Sequence, residues 1–118
     1  MYRDSLTFAG FEVVTAGDAD RGYQLATALL PSIVVTDFRL PGGSGADLCN
    51  RLKQHESTEK IPTLLVTASS QRRDVEKALA DGCAVVRLKP YLPDQLERDI
   101  RAILAGDEIP RWPFEYNA

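Results

Sequence analysis

An α/β fold with a parallel sheet flanked by helices is what this sequence predicts, on three observations. Short apolar runs alternate with stretches of helical spacing. Each run ends in a polar group followed by a loop, and no segment repeats another. Strands separated by helices pair in parallel through right-handed crossovers. The 118 residues suffice for one core and are too few for two. With 44% hydrophobic and 26% charged residues, the composition is that of an ordinary soluble domain.

The net charge of -3 and a pI near 5.1 argue against nucleic-acid binding by this chain itself. No run of about 18 apolar residues is present to span a membrane, and Met1-Tyr2-Arg3-Asp4 opens no secretory signal. Cys49 and Cys83 form no motif and sit among apolar neighbours, as expected of buried reduced thiols in a cytoplasmic protein.

In chain order, residues 2–9 suit a helix with Leu6 inward and Phe8 or Ala9 beside it, ended by Gly10. Residues 11–16 are β-branched enough for a strand. Asp18 can cap the next helix, whose inner stripe would be Ala19, Gly22, Tyr23, Ala26 and Leu29; Pro31 bars its continuation. Ser32-Ile33-Val34-Val35-Thr36-Asp37 reads as a strand buried on both faces that stops at a carboxylate, and the glycine-rich residues after it force a loop.

Ser44 is a cap with Asp47 three residues on, opening a helix to about Gln54 with Leu48, Cys49 and Leu52 on its apolar side. The lone His55 falls in a polar loop and is expected to be solvated. Residues 61–67 form another strand, with Pro62 at its entry. Ser69 or Ser70 could cap a helix over 71–81 that Gly82 ends, with Val75, Ala78 and Leu79 as its stripe. Residues 84–88 are the last strand. Pro93 opens a final helix built on Leu96, Ile100, Ile103 and Leu104 and ended by Gly106. Residues 1–106 are therefore one domain, and 107–118 a tail or linker without regular period.

Three successive strands end in Asp37, Thr67 and Lys89. In a parallel sheet those carboxyl ends share one edge, where ligands bind, and neighbouring strands lie about 4.8 Å apart. A carboxylate, a hydroxyl and an ammonium together suit a phosphoryl group. The carboxylate can attack phosphorus, while Lys89, Thr67 and the amide of Ala68 can hold its equatorial oxygens. A plain salt bridge between Asp37 and Lys89 would satisfy the same residues.

With Thr36-Asp37-Phe38-Arg39-Leu40-Pro41-Gly42-Gly43-Ser44-Gly45, then Val66-Thr67-Ala68, then Leu88-Lys89-Pro90, the chain resembles the receiver domain of bacterial response regulators over about residues 2–105. The resemblance implies the flavodoxin-like, CheY-like fold. It also implies Asp37 as acceptor of a phosphoryl group from a sensor histidine kinase or phosphotransfer protein. Thr67, Ala68 and Lys89 would contact the phosphoryl oxygens, and Mg²⁺ would sit on Asp37 and the main-chain carbonyl of Arg39. No output domain is visible, so a downstream effector protein would read a surface of the domain. The implied location is cytoplasmic.

Three departures from the family qualify that picture. A first apolar strand ending in an acidic pair is missing; Asp4, Asp18 and Asp20 lie elsewhere, so Mg²⁺ is expected to bind weakly. The same strand normally lies between residues 11–16 and 32–37. Those two segments would have to pair directly, or the tail or a second copy in a homodimer would have to cover the gap. Residues absent ahead of Met1 would explain it as well, and the first helix looks one turn short around 8–10. Val86 stands where many receivers carry an aromatic residue that couples phosphorylation to the output face, and here it suits strand packing.

The leading function is thus a phosphoacceptor signalling module, not an enzyme. The alternative is a degenerate receiver acting as a phosphorylation-independent interaction module. A haloacid-dehalogenase-like phosphatase would need an acid where Arg39 stands.

Overall fold

The computed structural model describes residues 2–112. Its elements are helices α1 (Arg3–Phe8) and α2 (Ala19–Leu29), strand β1 (Val34–Asp37), a short hairpin of β2 (Arg39–Leu40) and β3 (Gly43–Ser44), helix α3 (Gly45–Gln54), strand β4 (Thr63–Thr67), helix α4 (Arg72–Ala80), strand β5 (Val85–Leu88) and helix α5 (Pro93–Ala105). β1, β4 and β5 form a parallel sheet in that order. Leu6 of α1 and Leu96 and Ile100 of α5 pack on one face with Leu64, Val66 and Val85. On the other face α3 and α4 lay Ala46, Cys49, Val75 and Ala78 against Leu65 and Val86. Ala26 of α2 packs beside Leu48 and Leu52 of α3.

Helix ends follow local chemistry. Asp18 accepts a hydrogen bond from the Arg21 amide at 2.7 Å, and Ser44 one from the Asp47 amide at 3.0 Å, so both caps stand where the sequence places them. Gly82 and Gly106 take the left-handed backbone, with φ of 114° and 80°, that ends a helix without a Cβ clash. α4 begins differently. Its N-cap is Gln71, with no side-chain cap. Ser69 instead donates to the Asp74 carboxylate at 2.6 Å and accepts from the Gln71 amide, holding the turn ahead of the helix. Ser70 plays no part in that network.

The strand expected over 11–16 does not form. Phe11 and Val13 face the core, half-buried, while Glu12 and Val14 face solvent, but the backbone is paired to no strand. The alternation is strand-like; a ladder also needs a neighbour. Direct pairing with β1 does not occur either, and the Arg101 guanidinium over Phe11, 4.7 Å from the ring centre, tacks the segment to α5 instead. β1 in consequence is an edge strand. Ile33, Val34 and Val35 are half-buried, and the strand covered on both faces is β4, whose five residues are all buried. The described part of the tail does not cover the open side of β1: residues 109–112 lie across the sheet, beside β5. Residues 113–118 of the expected tail fall outside the described residues.

Other departures are smaller. Leu29 is 56% exposed rather than inward, because α2 rests on α3 through Ala26 and Tyr23. Cys49 and Cys83 are buried free thiols; their mutual hydrogen bond and burial push the Cys83 thiol up. Arg87 and Asp99 form a buried ion pair at 2.9 Å between β5 and α5, joined by the Tyr91 hydroxyl. Nothing in the periodicity of either segment announces that pair.

Candidate functional site

The parallel register sets Asp37 opposite Val66 and Thr67 opposite Leu88, so Asp37, Thr67 and Lys89 emerge together at the carboxyl edge of the sheet. Main-chain bonds fix each one. The Phe38 amide donates to the Val66 carbonyl at 2.9 Å, holding the residue after Asp37 on β4. The Lys89 amide donates to the Thr67 carbonyl at 2.8 Å, holding the lysine on the same strand. From there Lys89 Nζ reaches Asp37 Oδ1 at 3.2 Å. The two side chains keep 38% and 50% of their surface in solvent, so the pair contributes about 1 kcal/mol or less. Thr67 is 4% exposed, and its hydroxyl oxygen accepts from the Ser69 amide at 3.0 Å, leaving its proton to donate. Ala68, next in the chain, is exposed.

The loop after Asp37 is a tight hairpin. Pro41 and Gly42 occupy its turn, Gly42 with φ of 75°, as a proline-glycine turn requires. The chain then returns so closely that the Gly45 amide donates to the Phe38 carbonyl at 2.8 Å. A Cβ on Gly45 would stand 2.1 Å from the Asp37 carbonyl oxygen and 2.9 Å from Thr36. Gly45 is thus a site residue by what it lacks; the sequence shows it only as one glycine among several in a loop.

Tyr2 also belongs here. Its hydroxyl donates to the Tyr91 carbonyl at 2.7 Å, just past Lys89-Pro90, and the two rings meet edge to face. Burial raises the Tyr2 phenol above its usual value, and the Asp37 charge adds to the rise. No pattern in the first residues signals this contact.

The acids that would complete a metal site are elsewhere. Asp18 caps α2, and Asp20 pairs with Arg51 at 2.8 Å. Among the described residues no group of three or more His, Cys, Asp or Glu side chains is placed to hold a metal ion. Asp37 and the Arg39 carbonyl are the groups that would hold Mg²⁺, an ion that keeps most of its hydration shell against so few protein ligands.

A family model, the response regulator receiver domain, matches residues 1–101. The chain belongs to that family. It is 33% identical over 104 residues to the phosphate regulon transcriptional regulatory protein PhoB of Rhizobium meliloti, covering 88% of this chain and 46% of that protein. It is likewise 33% identical over 108 residues to the DNA-binding dual master transcriptional regulator RpaA of Synechocystis, covering 91% and 45%. The chain therefore spans about half the length of these curated relatives.

Among solved structures, a response regulator from Chloroflexus aurantiacus superposes with a TM-score of 0.81 at 31% identity, covering 87% of this chain and 84% of that one. The receiver domain of a sensor histidine kinase from Pseudomonas aeruginosa, whose active-site cleft coordinates magnesium, shares the fold at a TM-score of 0.80 and 21% identity, covering 87% and 84%. The flavodoxin-like, CheY-like fold read from the sequence is thus that of the chain. Receiver domains are signalling modules of two-component systems, for which phosphorylation and Mg²⁺ are standard, and they interact with histidine kinases or phosphotransfer proteins and with effector domains. No helix among the described residues is long and apolar enough to cross a membrane.

Proposed function

We propose that this receiver accepts a phosphoryl group on Asp37 and relays the change through a partner surface. The observation that supports it best is the pairing of Asp37 Oδ1 with Lys89 Nζ at 3.2 Å on a strand edge that also carries Thr67. In this reading a carboxylate oxygen of Asp37 attacks the phosphorus of a phosphohistidine. The new O–P bond forms as the N–P bond breaks, and the imidazole leaves with the electron pair. Thr67 and the Ala68 amide donate to the phosphoryl oxygens, and Lys89 exchanges the carboxylate for the more highly charged phosphoryl group. The donor is a sensor histidine kinase or phosphotransfer protein, and an effector reads the outcome. Residues 1–106 form the module, and 107–118 follow it as tail or linker.

The test is direct. A small-molecule phosphodonor with Mg²⁺ adds one phosphoryl group to the chain by intact mass and none to Asp37→Asn. A label that persists in the mutant removes Asp37 from the role. A chain that takes no label even from a cognate kinase is a degenerate receiver working as an interaction module, the reading that the absence of further acids beside Asp37 favours among the described residues.

Lys89→Ala separates phosphate binding from stability. A charge-assisted contact contributes about 1.5–3 kcal/mol, so affinity for a beryllofluoride mimic should fall roughly 10- to 100-fold. Urea unfolding should register about 1 kcal/mol or less for the loss of the exposed pair. The reverse outcome, a large loss of stability with unchanged mimic affinity, would make Lys89 structural.

A further inference from the structure

We propose that residues 109–112 are a strap docked along the outer edge of β5, closing that edge to a second copy of this chain. β5 is the last strand of the sheet. Such a strand presents unpaired N–H and C=O groups, a ready template for another chain. Here the Val86 amide donates to the Arg111 carbonyl at 3.0 Å, and Arg111 Nε donates to the Ala84 carbonyl at 2.8 Å. The strap is thereby bonded to the edge at both Ala84 and Val86.

Its flanks hold opposite faces of the sheet. Ile109 packs with the cluster that α1 and α5 build, and Trp112 with the cluster that α3 and α4 build. The Arg72 guanidinium of α4 lies 5.2 Å over the Trp112 ring. The strap thus straddles the edge, with an apolar anchor on each side. Pro110, within the strap, has no N–H to offer a further strand.

Without the strap, the open edge is Val85-Val86-Arg87-Leu88, apolar and β-branched apart from Arg87, whose guanidinium is turned back onto Asp99 and the Val86 carbonyl. Two such edges can pair antiparallel about a two-fold axis, each supplying what the other lacks. The occupant of the uncovered edge is therefore another copy of the same strand.

The experiment compares the full chain, a chain stopped after Glu108, and the full-length double variant Ile109→Asp with Trp112→Asp. The last keeps the length and removes both anchors. Molar mass comes from light scattering, and protection of the Val86 amide from hydrogen exchange. The full chain should be monomeric with a protected Val86 amide. The released variants should dimerise with rising concentration, while at dilution the Val86 amide should exchange about tenfold faster or more. Three results overturn the proposal: a Val86 amide that exchanges freely in the full chain, a full chain that is already dimeric, or released variants that stay monomeric. Should either released form fail to fold, the full-chain exchange rate still decides whether the strap is docked.

Discussion

Gly45→Ala should lower the unfolding free energy by about 3 kcal/mol, the upper end for forcing extra volume into a packed site. Most overpacked side chains can turn aside. Here the added methyl would lie 2.1 Å from the Asp37 carbonyl oxygen, which is backbone of β1 itself, with the Thr36 side chain at 2.9 Å closing the other direction. Relief requires the hairpin over residues 39–44 to back away, and that breaks the 2.8 Å bond from the Gly45 amide to the Phe38 carbonyl. Stability and site geometry should therefore fail together, read as a lower urea midpoint and as shifted Asp37 and Thr67 amides at temperatures where the mutant is still folded. Gly17→Ala is the control. Its added methyl meets nothing within 4 Å, and its backbone lies outside the left-handed region, so it should change stability by less than about 1 kcal/mol. Equal behaviour of the two variants would mean that the loop relaxes freely and Gly45 is no constraint.

What could be read from the sequence was whatever rests on local chemistry or strand order. Asp37, Thr67 and Lys89 each end a short apolar run, and parallel order alone brings such ends to one edge. The caps at Asp18 and Ser44 and the glycines at 82 and 106 are equally local. What depends on a distant partner could not be read. Residues 11–16 have a strand's alternation and no strand to pair with, while Val34 and Val35 look like a central strand yet stand at the edge. Tyr2 meets Tyr91 across 89 residues, and Arg111 meets Ala84 across 27, with no periodicity to mark either. Gly45 needed the returning chain before its missing side chain had meaning.

The 118 residues as they stand should bind Mg²⁺ and a phosphate mimic weakly, and an added strand should strengthen both together. Among the described residues Asp37 is the one carboxylate at the strand edge, with one oxygen already 3.2 Å from Lys89 Nζ. An ion that dehydrates reluctantly gains little from a single shared carboxylate and a carbonyl. The side of β1 away from β4 has no strand among the described residues, and residues 11–16 lie extended without a partner of their own. An apolar strand ending in two acidic residues, fused ahead of residue 1, could pair with β1 in parallel and deliver its acids to the edge where Asp37 emerges. Each 1.4 kcal/mol gained at the metal is about tenfold in affinity, so two added carboxylates should raise Mg²⁺ affinity by roughly tenfold or more. Pairing along β1 should raise the urea midpoint in the same chain. Titrating Mg²⁺ and beryllofluoride into both forms, and following the Asp37, Thr67 and Lys89 amides, checks the first effect. A version of the added strand with both acids changed to Asn isolates the second, keeping the gain in stability and losing the gain in metal affinity. Equal, tight binding with and without the added acids would mean that other residues complete the metal site.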